Sequence, residues 1–201
     1  MDLAIGKSKN ISGLRIVFAR GEQSIHDAEA FNAVLDLLKN ERLRDVSISF
    51  FGLRHIPETS NQIAQLTEAI AQSSIEIFQV LFFGVAKGIP AEAYENLKTA
   101  ASLKELRISG ETDLSNEKVV TSLSTFISGA KSLEILYLYP GYKDTAGMSE
   151  SMQTLLAESI NNSKSLKYIA MSGFHENWRD CYHDVKSLVK NVQVIPLGRT
   201  G

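Results

Sequence analysis

The 201 residues carry 21 basic and 23 acidic side chains, a balance that gives no electrostatic case for nucleic acid or an anionic membrane surface as partner. Apolar residues at 44% and charged residues at 22% exclude a disordered chain, and a single cysteine excludes an internal disulfide. Residues 1–10 hold no signal-peptide core and no later stretch approaches the ~20 apolar residues of a membrane span, so a cytoplasmic protein is expected.

Residues 1–10, with Leu3 and Ile5 in alternation, read as an N-terminal cap or tail. From residue 11 to 201 one pattern recurs: an apolar residue, two free positions, an apolar residue, one free position, an apolar residue. It falls at Ile11/Leu14/Ile16, Leu43/Val46/Ile48, Ile75/Phe78/Val80 and Leu103/Leu106/Ile108. It returns at Leu133/Leu136/Leu138, Leu166/Ile169/Met171 and Val192/Ile195/Leu197. The steps between first residues are 32, 32, 28, 30, 33 and 26, and Ser74, Ser102, Ser132 and Ser165 each precede a first apolar residue. Alternation within each triplet predicts a strand with one buried face.

Between the strands the apolar spacing turns helical. The first helix follows Ser24, with the stripe Ala28, Phe31, Val34, Leu35 and Leu38; the second follows Ser60, with Ile63, Leu66 and Ile70. Pro90 suits the first turn of a shorter helix bearing Tyr94 and Leu97, since its missing N–H needs no partner there. Gly110 and Asp113 mark a loop before a fourth helix, for which Ser115 is the expected N-cap and Gly129 the stop. Ser149 opens a fifth helix with Met152, Leu155, Leu156 and Ile160, and Asn177 a sixth with Trp178, Cys181, Val185 and Leu188.

Strands alternating with helices imply parallel pairing, because each helix carries the chain back before the next strand begins. A fixed period of this length marks a solenoid, in which stacked neighbours bury what no repeat buries alone. The spacing, with a helix in every repeat, resembles leucine-rich repeats of the ribonuclease-inhibitor-like type over about residues 11–198. That resemblance implies an α/β fold: a right-handed solenoid with a concave parallel sheet of about seven strands and about six convex helices. One departure stands out. The position that often holds Asn or Cys in such repeats holds Ala19, Phe51, Phe83, Glu111, Gly141, Phe174 and Thr200, so the loops lack an Asn ladder, and Phe51, Phe83 and Phe174 are expected to stack beneath them instead. Gly201 reads as the end of the arc, with Pro196 suiting an edge strand.

If Leu136 and Leu138 point into the core, alternation assigns three rows to the opposite face. These are Gly13, Asp45, Ile77, Glu105, Ile135, Tyr168 and Val194; then Arg15, Ser47, Gln79, Arg107, Tyr137, Ala170 and Pro196; then Val17, Ser49, Leu81, Ser109, Tyr139, Ser172 and Gly198. Ile77, Arg107, Ile135, Tyr137, Tyr139, Tyr142 and Tyr168 form the expected partner-binding patch, because Tyr and Arg are enriched where interfaces concentrate their energy.

Catalytic constellations are weak. Cys181 lies on an apolar stripe, and His26, His55, His175 and His183 have no metal-ligand spacing. Gly84–Gly88 lacks the Gly-Lys-Ser/Thr ending of a phosphate loop, and Glu105 and Glu134 read as cross-strand partners of Lys104 and Arg107. The expectation is therefore no enzyme, no cofactor, no metal and no small-molecule substrate, but a module that binds a protein partner. Bacterial effectors and intracellular adaptors occur among proteins of the resembled family. The alternatives are a regulator of enzyme activity, such as a GTPase-activating protein using Arg15, Arg54 or Arg179, and a ubiquitin-ligase substrate adaptor.

Overall fold

A computed structural model describes residues 11–18, 28–51, 59–83, 88–110, 112–141, 147–171, 183 and 185–196. In chain order the elements are β1 (Gly13–Phe18), α1 (Ala28–Leu38), β2 (Asp45–Phe51), α2 (Thr59–Ala71), β3 (Ile77–Phe83) and α3 (Ala91–Leu97). There follow β4 (Glu105–Ile108), β5 (Thr112–Asp113), α4 (Glu117–Gly129), β6 (Ile135–Leu138), β7 (Pro140–Gly141), α5 (Glu150–Asn162), β8 (Tyr168–Met171) and β9 (Gln193–Pro196). Residues 185–188 are also helical.

Seven strands form one sheet in the order β1-β2-β3-β4-β6-β8-β9, and every pairing is parallel. Its register follows the apolar triplets through the first six repeats. Leu14, Val46, Phe78, Leu106, Leu136 and Ile169 stand side by side. These residues are buried, as are Ile48, Val80, Ile108, Leu138 and Met171 two positions on. They share one core with Phe31 and Val34 of α1, Ile63 and Leu66 of α2, Tyr94 and Leu97 of α3, Leu123 and Phe126 of α4, and Leu156 and Ile160 of α5. Consecutive helices pack against each other. Helices thus cover one sheet face, while the other keeps partly or fully exposed residues such as Arg15, Gln79, Arg107 and Tyr168.

The strands begin alike for a main-chain reason. The carbonyl of Arg44 accepts from the N–H groups of both Glu76 and Ile77, and that of Glu76 from Lys104 and Glu105. Ser12, Lys104 and Glu134 accept from successive pairs in the same way. The recurring serines add a side-chain link: Ser132 Oγ donates to the Ala101 carbonyl at 2.7 Å and Ser165 Oγ to that of Ala130 at 3.0 Å, each one repeat back.

Several expectations change. The N-cap of α4 is Asn116, whose side chain accepts from the N–H groups of Lys118 and Val119. Ser115 instead donates its N–H and hydroxyl to Asp113 Oδ1, and the longer Asn side chain reaches the orphan donors from one position later. Pro90 is the N-cap of α3, one residue before the helix proper. The loop expected at Asp113 contains β5, which pairs in parallel with β7 as a second, two-stranded sheet. Ser149 caps α5 as expected, accepting from Met152 N–H.

The seventh triplet is out by one residue. Ile169 pairs with Val194 and Met171 with Pro196, so Ile195 and not Val194 shares a face with Ala170. The side-chain period of a strand is two, so this single-residue slip reverses the face of every residue in β9. Apolar residues at 192, 194 and 195 leave the sequence with two competing phases. Phe174 and the helix opening at Asn177 lie outside the described residues, as do the side chains of Phe51 and Phe83 and the ends of the third row, Ser172 and Gly198.

Candidate functional site

The middle of the open face is built by β3, β4, β6 and β8. Their registers bring Ile77, Glu105, Ile135 and Tyr168 into one row and Gln79, Arg107, Tyr137 and Ala170 into the next. Ile77, Ile135, Arg107 and Tyr137 are half-buried, and Tyr168 is 38% exposed. Of the residues expected to meet a partner, these five share the open face in adjacent rows. Tyr142 lies outside the described residues.

Tyr139 has a different position from the one expected of a contact residue: it is only 6% exposed. Its hydroxyl accepts from Arg107 Nε at 3.0 Å. The Arg107 guanidinium carbon also stands 5.2 Å from the centroid of the Tyr137 ring. One arginine is therefore held by a hydrogen bond and by a ring face, the second worth roughly 0.5–1 kcal/mol at exposed sites. Burial pushes the Tyr137 hydroxyl above its ordinary range; Glu105 and Tyr139 add to the rise and Arg107 opposes it.

Glu105 sits between Ile77 and Ile135 in its row. Burial raises its carboxyl above the usual carboxylate range, Asp45 raises it further and Arg107 pulls it down. Below the unfolded pKa, both states are protonated and Glu105 contributes nothing. As pH rises through the folded value the native state must ionise a carboxyl it holds less well, so stability is lost. Glu105→Gln is therefore expected to match the parent in thermal melts near pH 4 and to melt higher at pH 7. An equal effect at both pH values would refute this account.

Glu134 and Lys104, expected to pair with each other's neighbours across the strands, each take a different partner. Glu134 lies at the strand entry, where it accepts from Lys167 Nζ at 2.7 Å, while Lys104 Nζ donates to Glu76 at 2.6 Å. Arg44 approaches Glu76 from the other side at 3.8 Å. Glu76 is held below the usual carboxylate range, first by the Lys104 hydrogen bond. These ion pairs are exposed and individually worth little.

The N-terminal strands differ. A shallow polar depression of about 440 Å³ is lined by Arg15, Asp45, Ser47, Gln79 and Leu81 among others. Ser49, on the third row, is 1% exposed and its hydroxyl has no hydrogen-bond partner. Among the described residues, no three of His, Cys, Asp and Glu come together in a way that would hold a metal ion, and no helix is long and apolar enough to cross a membrane. Arg54, Arg179 and Cys181 lie outside the described residues. Compared with known proteins, the chain matches no family model and no curated sequence.

Proposed function

We propose that this chain is a non-enzymatic protein-binding module of the leucine-rich-repeat type, whose open sheet face receives the partner. The single observation that carries this reading is the Tyr137–Arg107–Tyr139 assembly, a cation fixed by two aromatic residues on a half-exposed surface. Preorganised arginine and tyrosine lose little conformational freedom on binding, so more of their contact energy appears as affinity. Ile77, Ile135 and Tyr168 flank them with apolar surface. A partner that sets an apolar side chain over these three and a carboxylate against Arg107 complements the patch.

The arc is supported by a mismatch of spacings. Parallel strands repeat every ~4.8 Å, whereas packed helices need 8–10 Å. One helix stands between each consecutive pair of strands in the sheet order, on a single face, and successive helices touch. Two layers with equal repeat number and unequal spacing favour bending toward the narrower one, and on this reading the open sheet face is the concave one. Concavity suits it to a convex macromolecular surface.

The test uses Tyr137→Ala and Tyr168→Ala combined with Tyr139→Phe, which keeps the buried ring and removes the hydroxyl that accepts from Arg107. Affinity capture with mass spectrometry identifies proteins held by the parent chain, and calorimetry then measures each. The expected result is a partner bound about tenfold or more weakly by the triple variant, with circular dichroism unchanged. A partner bound equally by both chains removes this face from consideration.

A further inference from the structure

The net charge of −2 conceals a row of exposed cations along one edge of the fold. The first turns of α3, α4 and α5 carry Glu92, Glu117 and Glu150. The opposite edge comprises the turns that run from each helix end to the next strand. There Lys98, Lys104, Lys131, Lys164, Lys167 and Lys190 are all exposed. Lys39, Arg42 and Arg44 extend the series through the first of these turns; the acids described there are Glu41, Glu76 and Glu134, with Asp36, Glu68 and Glu95 in the last turns of α1, α2 and α3.

Helix dipoles account for part of this. The C-terminal ends of α1 to α5 meet this edge, and each presents about half a negative charge, which favours cations nearby. The helix ends and nearby acids offset most of these cations on balance, but the compensation is unevenly placed. Lys104, Arg44 and Lys167 are engaged with Glu76 and Glu134, and Lys39 with Asp36. Lys98, Lys131, Lys164 and Lys190 have no ion-pair partner among the described residues. Each follows the end of one of four successive helical segments, at the Lys98 C-cap of α3 or within two residues beyond the others.

We propose that this basic edge binds an extended acidic segment of a protein. Four free ammonium groups at the ~8–10 Å spacing of packed helices match a strand-like peptide with an acid at every second or third residue, rising ~3.3 Å per residue. A nucleic acid fits less well. Duplex DNA carries a charge about every 1.7 Å, and these turns hold no aromatic ring on which a base would stack. A lipid surface fits less well too, since Leu43, Ile75, Leu103, Leu133, Leu166 and Val192 in the turns are all buried, and only Leu188 and Val189, beside one turn, leave apolar surface to insert. The choice of a protein segment rests on the reading of the chain as a protein-binding module. The turns run into the row of Ile77, Ile135 and Tyr168, with Lys131 and Lys164 each four residues before it along the chain.

The experiment measures fluorescence anisotropy of a labelled Glu-Ser repeat peptide, with a single-stranded oligonucleotide of equal length and phosphatidylserine vesicles as comparators. The chains compared are the parent, a variant with Lys98→Gln, Lys131→Gln, Lys164→Gln and Lys190→Gln, and the tyrosine triple variant. The expected result is saturable, salt-sensitive peptide binding, about tenfold weaker in the lysine variant and unchanged in the tyrosine variant. Absent peptide binding, equal binding by the lysine variant, or tighter binding of the oligonucleotide or vesicles overturns the proposal. Loss of peptide binding in the tyrosine variant alone overturns the separateness of the edge, and none of these outcomes alters the partner measurements that test the open face.

Discussion

Phe78→Ala is expected to destabilise the fold by about 3–5 kcal/mol, the range for removing a buried aromatic ring. Phe78 is fully buried on β3, between Val46 and Leu106, which are themselves 0% and 1% exposed. Neighbours on adjacent strands are tied into the sheet ladder and cannot collapse into the space left behind. For a chain of this size each kcal/mol lowers the melting temperature by about 2–4 °C, so a drop of roughly 10 °C follows. Urea titration followed by circular dichroism gives the same quantity independently. Leu155→Ala, at a residue 39% exposed on α5, serves as the control and is expected to shift stability by less than ~1 kcal/mol. If the two substitutions proved equal, the core would not be centred where β3 lies.

Breaking the Tyr94–Thr112 hydrogen bond is the second large effect. The two hydroxyls lie 2.7 Å apart, joining α3 to β5 across 18 residues of sequence, and the residues are 2% and 0% exposed. Tyr94→Phe leaves the Thr112 hydroxyl buried without this partner, and Thr112→Val does the same to Tyr94. Each is expected to cost about 1–3 kcal/mol. The double variant removes both polar groups and should cost less than the sum, a coupling that a double-mutant cycle reads directly. Additive losses would mean that the bond contributes nothing of its own. The Tyr94 ring also stacks on Phe126 at 6.3 Å, a contact that Phe at position 94 preserves.

Alkaline pH offers a further readout of the same bond. Burial drives the Tyr94 hydroxyl well above its ordinary value of 10, with Thr112 pulling it partly back. The unfolded chain therefore releases this proton first. The Tyr94 contribution to stability is constant below pH 10 and falls as pH rises beyond it, and Tyr94→Phe should flatten that fall.

Strand phase was the most legible feature of the sequence, because burial of one face ties apolar spacing directly to register. Leu106 and Leu136 needed no tertiary information to be paired. Where the apolar code was redundant, as at Val192, Val194 and Ile195, spacing alone selected the wrong phase. The short pairing of Thr112 and Asp113 with Pro140 and Gly141 left no trace, since two-residue strands carry no period. Within the candidate site, the row assignments followed from alternation for Ile77, Arg107, Ile135, Tyr137 and Tyr168. The burial of Tyr139 did not, because burial at a strand end depends on what packs over it. The row of lysines along one edge was also hidden, since a total over 201 residues says nothing of where the topology places each charge.

The doubled main-chain acceptors at Arg44, Glu76, Lys104 and Glu134 have a consequence for how such a chain tolerates change. That bridge is made by peptide groups alone, so the side chain above it is under no geometric obligation. Arginine, glutamate and lysine occupy equivalent sites with no cost to the joint between neighbours. Units of this kind can diverge in surface chemistry, or be duplicated, while the joint that stacks them is inherited unaltered.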